Sequence, residues 1–65
     1  MRFNEFDSVK VRIDCNEFVK KGDIGIIIMA FTTPDEAYEV EFLDDDGNTK
    51  SICTLKPDDL ESYRL

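Results

Sequence analysis

Fifteen Asp and Glu residues against eight Lys and Arg give this 65-residue chain a formal charge of −7, and it has no histidine. The first chemistry to test is therefore that of carboxylates. Seven of them (Asp35, Glu36, Glu39, Glu41, Asp44, Asp45 and Asp46) fall between positions 35 and 46, with no Lys or Arg in that stretch. Asp44-Asp45-Asp46-Gly47-Asn48 has the composition of a calcium loop. With Gly47 as its sixth position, an EF-hand would need carboxylates at positions 42 and 53, where the chain has Phe42 and Cys53. The ligand set fails at its first and last places, and the segment reads as a solvated hairpin turn. Glu39 and Glu41 stand two apart, roughly 6.5–7 Å on a strand, a spacing that an acid–base pair tolerates. Such a pair also needs burial to drive its two pKa values apart, and nothing in this segment supplies it.

The remaining nucleophiles fare no better. Ser8, Ser51 and Ser62 have no histidine to activate them, and neither do Cys15 and Cys53. Zinc would want four Cys or His ligands where the chain has two cysteines. Gly22-x-x-Gly25 lacks the Lys-Ser/Thr of a phosphate-binding loop. The expectation is a protein that is not an enzyme and needs no metal or cofactor. A segment charged like 35–46 repels DNA, RNA and anionic lipid and attracts a basic protein surface. The longest apolar run, Ile24 to Phe31, is far short of a membrane span. The chain opens at Met1 without a basic and apolar leader, so a cytoplasmic protein is expected, with Cys15 and Cys53 reduced and serving as small hydrophobes. A disulfide or redox switch is the alternative for that pair.

The elements that must position these groups are short and β-like. In Phe6–Ile13, Val9, Val11 and Ile13 alternate with Ser8, Lys10 and Arg12, the mark of a half-buried strand. Asp14–Lys21 breaks the alternation and reads as a long loop pinned by one or two of Cys15, Phe18 and Val19. Gly22 suits a turn, and Gly25 marks a bulge or a close backbone approach inside the next strand, which runs to Phe31. Thr32–Glu36 is a turn around Pro34. Tyr38-Glu39-Val40-Glu41-Phe42 alternates cleanly, with both glutamates facing out. Asp44–Asn48 turns the chain into a strand over Thr49–Leu55, where Ile52 and Leu55 break the period of two and predict a bulge. Pro57–Leu60 reads as one helical turn, and Glu61–Leu65 as a last short strand. Of the seven aromatic side chains, four or five should be claimed by packing. The fold expected is a single all-β domain over residues 1–65: a small SH3-like barrel of about five strands with one helical turn before the last. Closure would remove exposed strand edges.

Lys21-Gly22-Asp23-Ile24-Gly25, Tyr38-Glu39-Val40-Glu41-Phe42 with Asp44, Gly47 and Thr49, and Asp58-Asp59-Leu60 together resemble a bacterial domain-of-unknown-function family of small SH3-like proteins. That resemblance spans about Phe6 to Leu60 and implies the fold. Small reading frames of this kind often lie beside toxin-like genes, which implies an antitoxin or immunity role. The basic loops with which many SH3-like barrels bind RNA are replaced here by Asp23, Asp35, Glu36 and the triple Asp. Two functions are therefore weighed. One is an immunity protein or antitoxin that neutralises a basic toxin, a nuclease for example. Its contact face would be Glu39, Glu41, Asp44, Asp45 and Asp46, with Asp35 and Glu36 at the rim. The other is a small adaptor or accessory subunit docking through an apolar patch around Phe18, Val19 and Phe31.

Overall fold

The computed structural model describes residues 2–64. Met1, and Leu65 at the end of the expected last strand, lie outside the described residues. Five strands run β1 Ser8–Val11, β2 Ile24–Phe31, β3 Ala37–Leu43, β4 Thr49–Leu55 and β5 Leu60–Ser62, with a 3₁₀ turn at Pro57–Asp59 before the last. All pair antiparallel in one sheet, in the order β4-β3-β2-β1-β5.

A single sheet has no second layer to cover its apolar face, so it must roll until its own halves meet. The inner face shows this. Val9 and Val11 of β1, Ile27 of β2, Tyr38, Val40 and Phe42 of β3, Cys53 and Leu55 of β4 and Leu60 of β5 form one buried cluster. Two bulges help the sheet bend. One sets Ile28 between residues paired with Val40 and Glu39, and the other sets Lys50 between residues paired with Phe42 and Leu43. The second lies upstream of where the Ile52/Leu55 mismatch predicted it. Those two side chains simply face opposite ways, Ile52 exposed and Leu55 buried.

The roll does not close. Among the described residues β4 and β5 do not pair, so each remains an edge, contrary to the closure expected of a barrel. β5 has only three residues, and its ladder is spent on β1 through Val9–Ser62, Lys10–Glu61 and Val11–Leu60. Two irregular segments cover the core instead. Phe3 of the N-terminal arm and Val19 of the first loop are both buried. Asn16 shapes that loop: its Oδ1 accepts hydrogen bonds from the amides of Phe18 (2.8 Å) and Val19 (3.1 Å).

That loop is also tied covalently. Cys15 and Cys53 are joined as a disulfide, with their Cα atoms 6.9 Å apart. The expectation of two free thiols is corrected here. The inward turn at Asn16 brings Cys15 over the core end of β4, a closeness that residues 38 apart in sequence do not advertise. Of the aromatic residues only Phe3, Tyr38 and Phe42 are fully buried, fewer than expected, because the rolled sheet is too small to hold more. Phe31 and Tyr63 are half-buried, and Phe6 and Phe18 point to solvent.

Candidate partner-binding face

β3 sets the layout of the seven carboxylates. Its burial alternates strictly: Tyr38, Val40 and Phe42 inward, Ala37, Glu39 and Glu41 outward. Asp35 and Glu36 precede the strand, and Asp44, Asp45 and Asp46 follow it. Seven residues of strand separate the two groups by about 26 Å of extended chain. The acids therefore do not form one patch. They form a line, with Glu39 and Glu41 on the outer face of the sheet and a cluster at either end.

The end clusters contain carboxylates already engaged in folding. Asp44 Oδ1 accepts hydrogen bonds from the amides of Asp46 and Asn48, both at 2.9 Å, and Gly47 takes φ +86°. This is an Asx-type turn, and it fixes the hairpin tip. Asp45 and Asp46 are exposed at that tip. At the other end, Glu36 accepts a hydrogen bond from the buried Tyr38 hydroxyl and another from the Arg2 amide at 3.1 Å. The Tyr38 hydroxyl in turn accepts the Phe3 amide at 3.1 Å, and the two rings pack edge to face with centroids 5.4 Å apart. Glu36 thus anchors the N-terminal arm. The alternation placed Tyr38 inside correctly, but nothing local revealed that its hydroxyl would claim Glu36.

The Tyr38 hydroxyl, then the Arg2 amide, hold the Glu36 carboxyl below its ordinary value of 4.5. A folded-state pKa lowered in this way adds stability that is complete above the unfolded value and is lost as pH falls through the folded one. Burial, and then the neighbouring Glu36 carboxylate, raise the Tyr38 phenol above 10.0. Its contribution is complete below 10 and is lost as pH rises further. Tyr38→Phe should cost about 1–2 kcal/mol, because it leaves the Phe3 amide buried and unpaired. It should also reduce the acid-side fall due to Glu36, leaving the part that the Arg2 amide supports. Urea midpoints measured at steps from pH 7 to pH 3 on both proteins check this; parallel curves would refute the linkage.

Among the described residues Asp35, Glu39, Asp45 and Asp46 have no such duties, and Glu41 accepts one hydrogen bond, from the Thr49 hydroxyl. The ion pairs among the described residues are Arg2–Asp58 (3.0 Å) and Lys50–Asp23 (3.5 Å), and neither involves any of the seven acids. Across the sheet Ser8, Ile26, Glu41 and Ile52 are successive partners, and so are Met29, Glu39 and Thr54. Glu41 is thus set between two isoleucines, and Glu39 between Met29 and Thr54. Three of the cations lie elsewhere: Lys10, Arg12 and Lys21 line a shallow cleft beside β1 with Val11, Gly22 and Glu61. The apolar patch expected around Phe18, Val19 and Phe31 is not assembled, because Val19 is buried in the core and Phe31 is half-buried. Among the described residues, no group of three or more His, Cys, Asp or Glu is arranged to hold a metal ion. None of the helices there is long and apolar enough to cross a membrane.

The molecule is thus a small antiparallel β domain whose outer face carries carboxylates that make no ion pair among the described residues. Residues 5–62 match the model of the family described as Domain of unknown function (DUF4926), and the chain belongs to that family. No curated protein and no solved structure matched the chain.

Proposed function

We propose that the protein is a non-catalytic, acidic protein-binding module of the immunity or antitoxin type, which acts by covering a basic surface of a toxin such as a nuclease. One observation carries the reading. Glu39 and Glu41 stand half-buried on the outer face of one strand, without a cationic partner among the described residues, and Asp45 and Asp46, exposed at the hairpin tip, extend the charge beyond its end. Carboxylates held in this way are pre-organised to receive Arg or Lys from a partner, and charge of one sign speeds the encounter by about 10- to 1,000-fold. Nucleic acid and anionic membranes are disfavoured by the same charge.

Co-expression with the product of a neighbouring toxin-like gene tests the idea. The native protein should restore growth and bind the toxin, and raising salt from about 50 to 500 mM should weaken binding markedly, because exposed charges are screened beyond a few ångströms at that strength. Charge-neutral replacement of Glu39, Glu41, Asp45 and Asp46 should abolish protection while leaving the fold intact. Protection by that quadruple variant would refute the reading. The adaptor reading draws on a different observation, the exposure of Ile24, Met29 and Ile52 on the outer face. Salt-insensitive binding within a multi-subunit complex would favour it.

A further inference from the structure

β2 is apolar on both faces. Its sequence Ile24-Gly25-Ile26-Ile27-Ile28-Met29-Ala30-Phe31 has no polar side chain on either side, the pattern of a strand covered by a layer above and another below. The fold supplies only one of these layers. Ile27 is buried within the roll, whereas Ile24 is 39% exposed and Met29 47% exposed on the opposite face. Beside them, β3 and β4 contribute Leu43 at 43% and Ile52 at 52% exposure. Glu39 and Glu41 rise from the middle of this apolar ground.

We infer that the outer face of β2–β3–β4 is a composite docking surface for a partner protein that presents Arg or Lys between apolar side chains, the cations meeting Glu39 and Glu41 while the apolar groups cover Ile24, Ile26, Met29 and Ile52. This rests on the acidic-module reading and specifies where and how the module grips. Charge selects the occupant. A second copy placed face to face would bring four uncompensated carboxylates together, which disfavours a symmetric dimer. A purely apolar partner would bury both glutamates without a counter-charge. A basic partner that is also apolar satisfies both halves of the surface. Hydrophobic cover around a charge pair excludes water from it, which is how a small number of central residues come to dominate an interface.

The test uses isotope-labelled protein and three synthetic peptides. Acetyl-Leu-Arg-Val-Arg-Leu-amide carries both features, its citrulline counterpart removes only the charge, and acetyl-Gly-Arg-Gly-Arg-Gly-amide removes only the apolar groups. NMR titration of the Ile and Met methyl groups and the backbone amides should show saturable shifts centred on Ile26, Met29, Glu39, Glu41 and Ile52 with the first peptide. Each of the other two should bind at least about tenfold more weakly, a difference of 1.4 kcal/mol. E39Q/E41Q and I52T should each weaken the first peptide by about the same factor. E5Q/E17Q, which neutralises two exposed acids outside this face, should leave it within about twofold. Retained amide dispersion and an unchanged urea midpoint establish that each variant is folded. Equal binding of the citrulline peptide, shifts confined to the hairpin tip, self-association through these methyl groups without peptide, or no saturable shift with any peptide would each overturn the inference. In the co-expression assay, protection lost in D45N/D46N but kept in E39Q/E41Q and I52T would remove this docking face while leaving the acidic-module reading in place.

Discussion

Reduction of the Cys15–Cys53 bond is expected to lower the folding stability by about 4 kcal/mol. The bond joins residues 38 apart, and in the chain-entropy account a link of this span falls between roughly 3 kcal/mol for a 15-residue loop and roughly 4.7 for a 100-residue loop. The bond does more than shorten the unfolded chain. Cys15 precedes the turn at Asn16 that lowers Val19 into the core, and Asn16 itself reaches β4 through a 3.0 Å hydrogen bond to Ser51 Oγ. Release of the link therefore frees the segment that covers one end of an open sheet. A domain of this size stands at roughly 3–10 kcal/mol in all, so the reduced form should sit close to its unfolding threshold. Urea unfolding of the oxidised protein with and without dithiothreitol measures the effect, and Cys15→Ser should match the reduced protein in both conditions. Equal midpoints in every sample would show that the bond adds nothing. An intermediate result, with the first loop newly open to protease while the midpoint barely moves, would confine the bond to local order.

The strands were legible in the sequence because one face of each is dictated by water. Tyr38, Val40 and Phe42 alternate with Glu39 and Glu41, and no other register would bury the first three. The hairpin at Asp44–Asn48 and the 3₁₀ turn at Pro57–Asp59 were legible for a different reason, since Gly47 permits the positive φ that the turn needs and Pro57 fixes its own φ at a helical value. Three things were not legible. The open seam depends on how few residues β5 commits to β1, a length that no periodicity encodes. The Cys15–Cys53 bond and the docking of the N-terminal arm on Tyr38 and Glu36 join positions far apart in sequence, brought together only by the fold. The outer face of β2 was hidden by its own composition: a run of apolar residues does not say which of them will be left in water.

The candidate site divides along the same line. That Glu39 and Glu41 share a face follows from the period of two and needs no coordinates. That Glu36 and Asp44 are spent on internal hydrogen bonds requires them. The acidic run is thus uniform as sequence and divided as structure: two carboxylates on the outer face of the sheet, two at a tip, two occupied in holding the chain, and Asp35 exposed in the turn before β3.

Gly25→Ala should be the most damaging single methyl group that can be added to this sheet. Gly25 lies opposite Val9 in the β1–β2 ladder, on the inner face, with no room above it. A Cβ there would stand 2.6 Å from Val40 Cγ1, 2.8 Å from Phe42 Cε1 and 2.9 Å from the Glu41 carbonyl oxygen. The first two atoms belong to fully buried side chains and the third to the backbone of the central strand, so none is a loose end that can swing aside. Relief would have to come from moving β2 away from β3, and overpacking of this kind costs about 3 kcal/mol. The shift would also disturb the row Ile26–Glu41–Ile52, so the variant should lose affinity for the arginine peptide along with stability. A double-mutant cycle separates steric cause from loss of backbone freedom. Val40→Ala alone should destabilise by leaving a cavity, yet in the Gly25→Ala background it removes the nearest clash, so the pair should be less unstable than the sum by about 1 kcal/mol. Rescue should remain incomplete, because the Phe42 ring and the Glu41 carbonyl are still in the way. Strict additivity, or a Gly25→Ala protein within about 0.5 kcal/mol of the native one, would mean that β2 and β3 have slack at this point, and the tight approach argued here would have to be given up.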